Sequence, residues 1–296
     1  MLPIAQERIG EAVDTIHCGP IRFLLLTCGN IWYSVTHGTS RSRHIRSSIT
    51  MPHLSTAQWI VAVIGTLFMG VSKAGFAGLG LLHVVLFALL FGARDSTGVI
   101  LPMLLVGDVG AVATYRPHAR WDYLGRMLPP ACIGVVIGAF LMGRLNEAAF
   151  RPLVGGIILT LTAVQVLRTV RPEVFGTVPH ARWFTWAMGL LAGTTTMLAN
   201  AAGPIIGLYA LAVGLPKLEL VGTSAWFFLV LNAFKVPFSV GLGLIHPRTL
   251  LLNLVLAPLV VLGLLAGRVI IRHMPQRVFD ILLLAFAALA ALRLIF

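Results

Sequence analysis

The chain has 296 residues, of which 58% are hydrophobic and only 11% charged, with a mean hydropathy of +0.92. A soluble domain carries roughly 25% charged residues, so this composition excludes one and describes an all-α polytopic membrane protein. A formal charge of +12 would point to nucleic acid in a soluble chain. Here the arginines cluster at the ends of apolar runs, as in Arg116, Arg120 and Arg126 or Arg268, Arg272 and Arg277, which is the pattern of loops facing anionic lipid. No basic stretch is interleaved with exposed aromatics, so no nucleic-acid partner is expected. The cysteines Cys18, Cys28 and Cys132 form neither a CxxC pair nor a disulfide framework.

Residues 1–55 read as an N-terminal extension distinct from the rest, with Glu7, Glu11, Asp14, five arginines and a 15-residue apolar run, "IRFLLLTCGNIWYSV", that is short for a span. The extension is either a signal or anchor segment or sequence upstream of a start at Met51, and the second reading is preferred.

From Gln58 onward, apolar runs recur that are long enough to cross about 30 Å of hydrocarbon. The first, residues 58–91, is interrupted by the polar, glycine-rich "SKAGFAGLG". A continuous helix of 34 residues would measure roughly 51 Å, too long for one crossing. The segment is therefore expected to turn back on itself, as two short spans or as a re-entrant hairpin. Three spans follow, near 96–115, 121–143 and 149–168. A second interrupted segment at 183–214 breaks at "TTTMLANAAGP", and three more spans follow near 220–240, 249–270 and 278–296.

The two runs are repeats, placed at 56–170 and 180–296. Trp59, Gly65 and Asp108 recur as Trp183, Gly189 and Asn232 at a spacing of 124, and Gly70 and Gly80 recur as Gly193 and Gly203 at 123. Pro129, Gly134, Gly138 and Phe150 recur as Pro258, Gly263, Gly267 and Phe279 at 129. Either form of the broken segment gives each half an odd number of crossings, so the repeats are expected to have inverted topology, as transporters show. With a start at Met51, one set of loops holds ten basic residues and the other five; the first set is expected to be cytoplasmic.

Charge at membrane depth costs at least about 2.5 kcal/mol per group on insertion scales and marks cavities or partners. Three groups qualify: Lys73 in the first break, Asp108 in the following span, and Lys235 in "FFLVLNAFKVPFS". Two of the chain's three lysines thus lie at depth, and two cations against one carboxylate suit a small anionic substrate. Asn232 and Lys235, three apart, share a helical face. Asp108 either pairs with a lysine or takes up a proton during coupling. The competing reading is a purely structural ion pair of Asp108 with one lysine, the other lysine reaching to an interface.

The breaks supply backbone N–H groups that must face protein or a watery cavity and that attract anions. Gly75, Gly78, Gly80 and Gly203 permit close backbone approach to a ligand. Ser72, Thr194, Thr195, Thr196 and Asn200 add hydrogen-bonding groups, and Pro204 suits the first turn of a restarting helix. Gly134, Gly138, Gly263 and Gly267, spaced by four, read as helix-packing residues. Ser224 and Trp226 are further candidates to line the cavity, and His83 is a candidate proton relay.

No GxSxG elbow, no HExxH, no paired carboxylates and no His/Cys cluster at ligand spacing occurs. Residues 75–80, "GFAGLG", do not follow the GxGxxG order. No enzyme activity, cofactor or metal is expected.

Taken together, "GVSKAGFAGLGLL", "LPMLLVGDVGAVATYRPHARWDYL", "LANAAGPIIGLYALAVGLPK", "VGTSAWFFLVLNAFKVPFSVGLG" and "PQRVFD" resemble the sulfite exporter TauE/SafE family, in a subgroup with a lysine in the first break. The resemblance covers roughly residues 57–296. Many family members carry a glycine triplet and a VPxL run after the first break, where this chain reads GLGLLHVV. The resemblance implies a bacterial inner-membrane carrier of small sulfur-containing anions, with Lys73, Asn200, Gly203 and Pro204 in the matching motifs. The expected function is a secondary transporter, an exporter of sulfite or a related organosulfur anion. An anion channel, and a membrane enzyme or assembly subunit, are the alternatives, and a homodimer is one assembly the composition allows.

Overall fold

The computed structural model describes residues 54–75, 79–171, 182–273 and 292. Their secondary structure is helical: α1 (Thr56–Lys73), α2 (Leu79–Phe91), α3 (Asp95–Tyr115), α4 (Trp121–Arg144), α5 (Glu147–Val170), α6 (Arg182–Ala199), α7 (Gly203–Ala212), α8 (Lys217–Gly241) and α9 (Pro247–His273). A short 3₁₀ turn, Arg116–His118, follows α3. The protein is an all-α, multi-pass membrane protein. Among the described residues, five helical stretches are long and apolar enough to cross a membrane: Thr56–Lys73, Asp95–His118, Trp121–Arg144, Leu218–Gly241 and Pro247–Val269. Residues 1–53 of the expected extension at 1–55 and the expected last span at 278–296, apart from helical Leu292, lie outside the described residues.

Local chemistry sets the element ends. The Ser55 hydroxyl accepts the Gln58 N–H at 3.3 Å and the Gln58 side chain accepts the Ser55 N–H at 2.9 Å, a capping box that starts α1. Asn146 starts α5 the same way, its side-chain oxygen accepting the Ala149 N–H at 2.9 Å.

Both interrupted segments break inside the polar stretch. The end of α1 tightens into two three-residue bonds, Ala74 N–H to Val71 O and Gly75 N–H to Ser72 O, and Gly75 turns the chain with φ +113°. In the second half, α6 ends at Asn200, whose φ of +52° is the left-handed conformation that asparagine tolerates best after glycine. The helices that follow are short. At 13 and 10 residues, α2 and α7 measure about 20 and 15 Å, too little to cross a bilayer unaided.

The halves are interlocked. The two most extensive helix contacts pair α4 with α6 and α1 with α9, so each half's opening helix lies on the other half's PxxxxGxxxG helix. Glycines make both contacts close. A Cβ on Gly193 would collide with the carbonyl oxygen of Ala131, and one on Gly134 would lie 3.0 Å from the Gly193 Cα. Likewise a Cβ on Gly70 would collide with the Val260 oxygen, and one on Gly263 would lie 3.0 Å from the Gly70 Cα. Between these crossings α3 packs on α8. One apolar core, which includes Met127, Val135, Phe150, Ile158, Met197 and Phe227, joins α4 to α7 with α8. A second, which includes Met69, Met103, Leu252 and Val260, joins α1, α3 and α9. The polar side chains at membrane depth lie where the two meet.

Candidate functional site

Six polar side chains, five on α1, α3, α6 and α8 and one, Asn200, just past the end of α6, form one hydrogen-bonded network. The Lys73 ammonium, at the end of α1, donates to Asp108 Oδ1 on α3 at 2.5 Å, an ion pair whose carboxylate is 0% exposed and whose lysine is 11% exposed. Asn232 on α8 donates from Nδ2 to the other carboxylate oxygen at 2.7 Å. Through its own Oδ1, Asn232 accepts from Lys235 at 3.3 Å. The Lys235 ammonium, 1% exposed, also donates to the Thr196 carbonyl at 2.8 Å, the Thr196 hydroxyl at 3.2 Å and Asn200 Oδ1 at 2.5 Å. Asn200 Nδ2 closes the chain on the Thr97 carbonyl at 3.1 Å.

The Thr196 carbonyl, in the last turn of α6, accepts the Asn200 N–H at 3.0 Å and offers its second lone pair to the buried Lys235 ammonium. The left-handed turn at Asn200 ends α6 there, and Asn200 places its side chain between Lys235 and Thr97. The two lysines are thus satisfied in different ways. Lys73 has a carboxylate; among the described residues Lys235 has only neutral oxygens, offering four acceptors to three N–H groups. Two ammonium groups and one carboxylate leave a formal excess of one positive charge.

This network borders a cavity of about 400 Å³. Ser72, Lys73, Gly75, Gly80, Asp108, Thr196, Asn200, Gly203, Ser224 and Asn232 line it, so the structure gathers most of the residues singled out from sequence. Gly78 lies outside the described residues. Three expectations change. Lys235 is not in the cavity wall but behind it, reached through Asn232 and Thr196. Pro204 is buried in the first turn of α7 without lining the cavity, and only its neighbour Gly203 does. Trp226 turns away to pack on Trp121, ring centroids 5.2 Å apart, because it is out of step with the face of α8 that carries Val221, Ser224, Ala225, Phe228 and Asn232. Of the other polar residues near the breaks, the hydroxyls of Ser72 and Thr195 donate back to their own helices, to Met69 and Leu191 oxygens at 2.7 Å. Thr194 bonds the Gly134 oxygen across the α4–α6 contact at 3.2 Å.

Sequence reasoning missed the apolar wall: Leu104 and Ala111 on α3, Leu215 before α8, and Leu220, Val221, Ala225 and Phe228 on α8. Phe228 lies under the Lys73 ammonium, 5.0 Å from Nζ to the ring centroid, a cation–π contact. Stepping back along α8 from Asn232 by four, seven and eleven residues gives Phe228, Ala225 and Val221, so helical spacing alone could have found them.

The family model for the sulfite exporter TauE/SafE matches residues 61–294. The chain belongs to the sulfite exporter TauE/SafE family. Neither a curated protein nor a solved structure matches it. The TauE/SafE match spans both broken segments, every residue of the Lys73–Asp108–Asn232–Lys235–Asn200 chain and most of the helices around the cavity. TauE/SafE is a family of membrane transporters rather than enzymes, and sulfite or anion transport is the activity that membership carries.

Proposed function

We propose that the protein is a secondary transporter that moves a small oxyanion, sulfite or a related organosulfur anion, outward across the bacterial inner membrane, with its two halves in inverted topology. The observation that carries this reading is the charge balance around the cavity: two ammonium groups, one carboxylate, and no second carboxylate in the wall among the described residues. A cavity with an excess positive charge at membrane depth favours an anion over a cation, because desolvation makes each such charge count for more than it would in water.

In this reading Lys73 is the contact charge and Asp108 holds it in place. Lys235 supplies the excess field from behind the wall, and Asn232 links the two lysines through one amide. Ser224, Asn200 and the backbone around Gly75 and Gly203 complete the polar end of the cavity.

The test is counterflow of labelled sulfite in proteoliposomes holding the purified protein. A carrier gives uptake that saturates and that is accelerated by unlabelled sulfite on the opposite side. Passive conductance without saturation or counterflow would instead establish a channel, and no sulfite flux above protein-free vesicles would overturn the anion reading.

A further inference from the structure

His83 shares the cavity with Lys73 and Asp108, and its side chain is 2% exposed. Its Nδ1 stands 3.4 Å from the Leu79 carbonyl oxygen one turn earlier in α2. Its Nε2 is buried and has no hydrogen-bond partner among the described residues.

These observations fix the chemistry the imidazole offers. A carbonyl oxygen only accepts, so the Nδ1 contact is a hydrogen bond only when the ring proton sits on Nδ1. The other nitrogen of that neutral tautomer carries a bare lone pair. A buried acceptor without a donor is costly, and its occurrence in a native site calls for a reason. Neither nearby lysine donates to it: Lys73 is paired with Asp108, and Lys235 is turned to Thr196, Asn200 and Asn232. Helices α6 and α7 bring no titratable side chain to this cavity among the described residues. A donor carried by the cavity's occupant would satisfy that acceptor.

We infer that His83 is a specificity-determining residue that accepts a hydrogen from the transported anion, so that the site selects a singly protonated oxyanion, hydrogensulfite being the simplest, over anions with nothing to donate. The inference rests on the oxyanion reading above and adds to it the protonation state of the substrate. A monoanion also matches the single excess positive charge, whereas a dianion would leave the buried site with a net negative charge. The charged oxygens lie toward Lys73 and the O–H toward Nε2.

Methanesulfonate is the discriminating probe, because it keeps the sulfur oxyanion head and replaces the O–H by a methyl group that donates nothing. In proteoliposomes at a fixed, mildly acidic pH, sulfite should half-saturate wild-type transport at a concentration at least tenfold below that at which methanesulfonate half-inhibits it. In His83→Leu the sulfite value should rise about tenfold while the methanesulfonate value stays within about twofold, the size expected for one hydrogen bond. His83→Gln, whose amide oxygen falls near the Nε2 position, should recover most of the preference. Equal weakening of both anions in His83→Leu, or no change in either, would overturn the inference while leaving the oxyanion reading intact. Should His83→Leu fail to reconstitute, the wild type decides. The half-saturating concentration of total sulfite should fall as pH is lowered, with methanesulfonate as the control for titration of Lys73, Asp108 and Lys235. A sulfite profile no steeper than that of methanesulfonate would overturn it. No saturable transport of either anion by the wild type would overturn the oxyanion reading itself, and this inference with it.

Discussion

The two broken segments occupy corresponding places in the two halves, yet they bring opposite chemistry to the centre. In the first half the break carries the cation: Lys73 ends α1 and the helix beside it, α3, supplies the carboxylate of Asp108. At the 123-residue spacing of the paired glycines, the position of Lys73 is taken in the second half by Thr196, which offers only a carbonyl and a hydroxyl. There the cation sits on the neighbouring helix instead, as Lys235 on α8, and it receives no carboxylate. Asp108 and Asn232, which correspond at 124, touch each other through a 2.7 Å hydrogen bond. The pattern of breaks and paired glycines repeats along the sequence, whereas the charge does not. That asymmetry leaves one formal positive charge uncompensated at the centre.

Substitutions that make the halves alike should be the most disruptive. Asp108→Asn gives α3 the residue that α8 carries and strands Lys73 without its carboxylate. Loss of one partner from a buried pair costs about 3–5 kcal/mol, so unfolding of the detergent-solubilised variant should shift accordingly. A loss below about 1 kcal/mol would mean that the pair is largely solvated. The reverse exchange, Asn232→Asp, replaces a neutral acceptor of Lys235 by an acidic one and sets a second carboxyl against Asp108, where two like groups at hydrogen-bond distance share a proton. Sulfite transport should then need at least tenfold more substrate for half-saturation, a change on the order of 1.4 kcal/mol, and an unchanged value would show that the Asn232 amide link between the lysines does not shape the site.

The interlocking of the halves can be probed in the same paired fashion. Gly70→Ala and Gly193→Ala each put a methyl group onto backbone of the opposing helix, and overpacking of this kind costs about 1–3 kcal/mol. Gly156→Ala, whose Cβ meets nothing within 4 Å, serves as the control and should be neutral or stabilising by about 0.5–1 kcal/mol through helix propensity. Equal effects at all three sites would contradict the close crossings. The smallest effect belongs to the exposed pair of Arg120 with Glu219 at 3.0 Å, which ties the start of α4 to the start of α8. A double-mutant cycle with Arg120→Ala and Glu219→Ala should give a coupling under about 1 kcal/mol.

Much of this was legible in the sequence, for identifiable reasons. Apolar runs bounded by arginine, proline and glycine gave helix limits close to the observed ones, as in 121–143 against Trp121–Arg144. The breaks stood out because polar residues and glycines at membrane depth have few uses. The lysines and Asp108 stood out because charge there is expensive. What the sequence could not separate was direction. Lys73 as anion contact and Lys73 as partner of Asp108 require the same residue types, and the structure shows that it is paired while still bordering the cavity. Lys235 reads as a cavity lysine until its four oxygen neighbours are seen. Trp226 differs from its neighbours Ala225 and Phe227 only in which side of α8 it occupies, a matter of one residue in a helix apolar on most sides. The wall formed by Leu104, Ala111, Val221 and Phe228 was hidden for the same reason, since lining residues and core residues are chemically alike.

The central claim is that the excess positive charge at the meeting of the two breaks holds the transported anion. Its most direct test is sulfite counterflow in proteoliposomes with Lys73→Met and Lys235→Met, each checked for folding by thermal unfolding. The account predicts that both variants lose at least nine-tenths of the wild-type rate at low sulfite, Lys235→Met included although its side chain never reaches the cavity. Wild-type counterflow in both variants would contradict it.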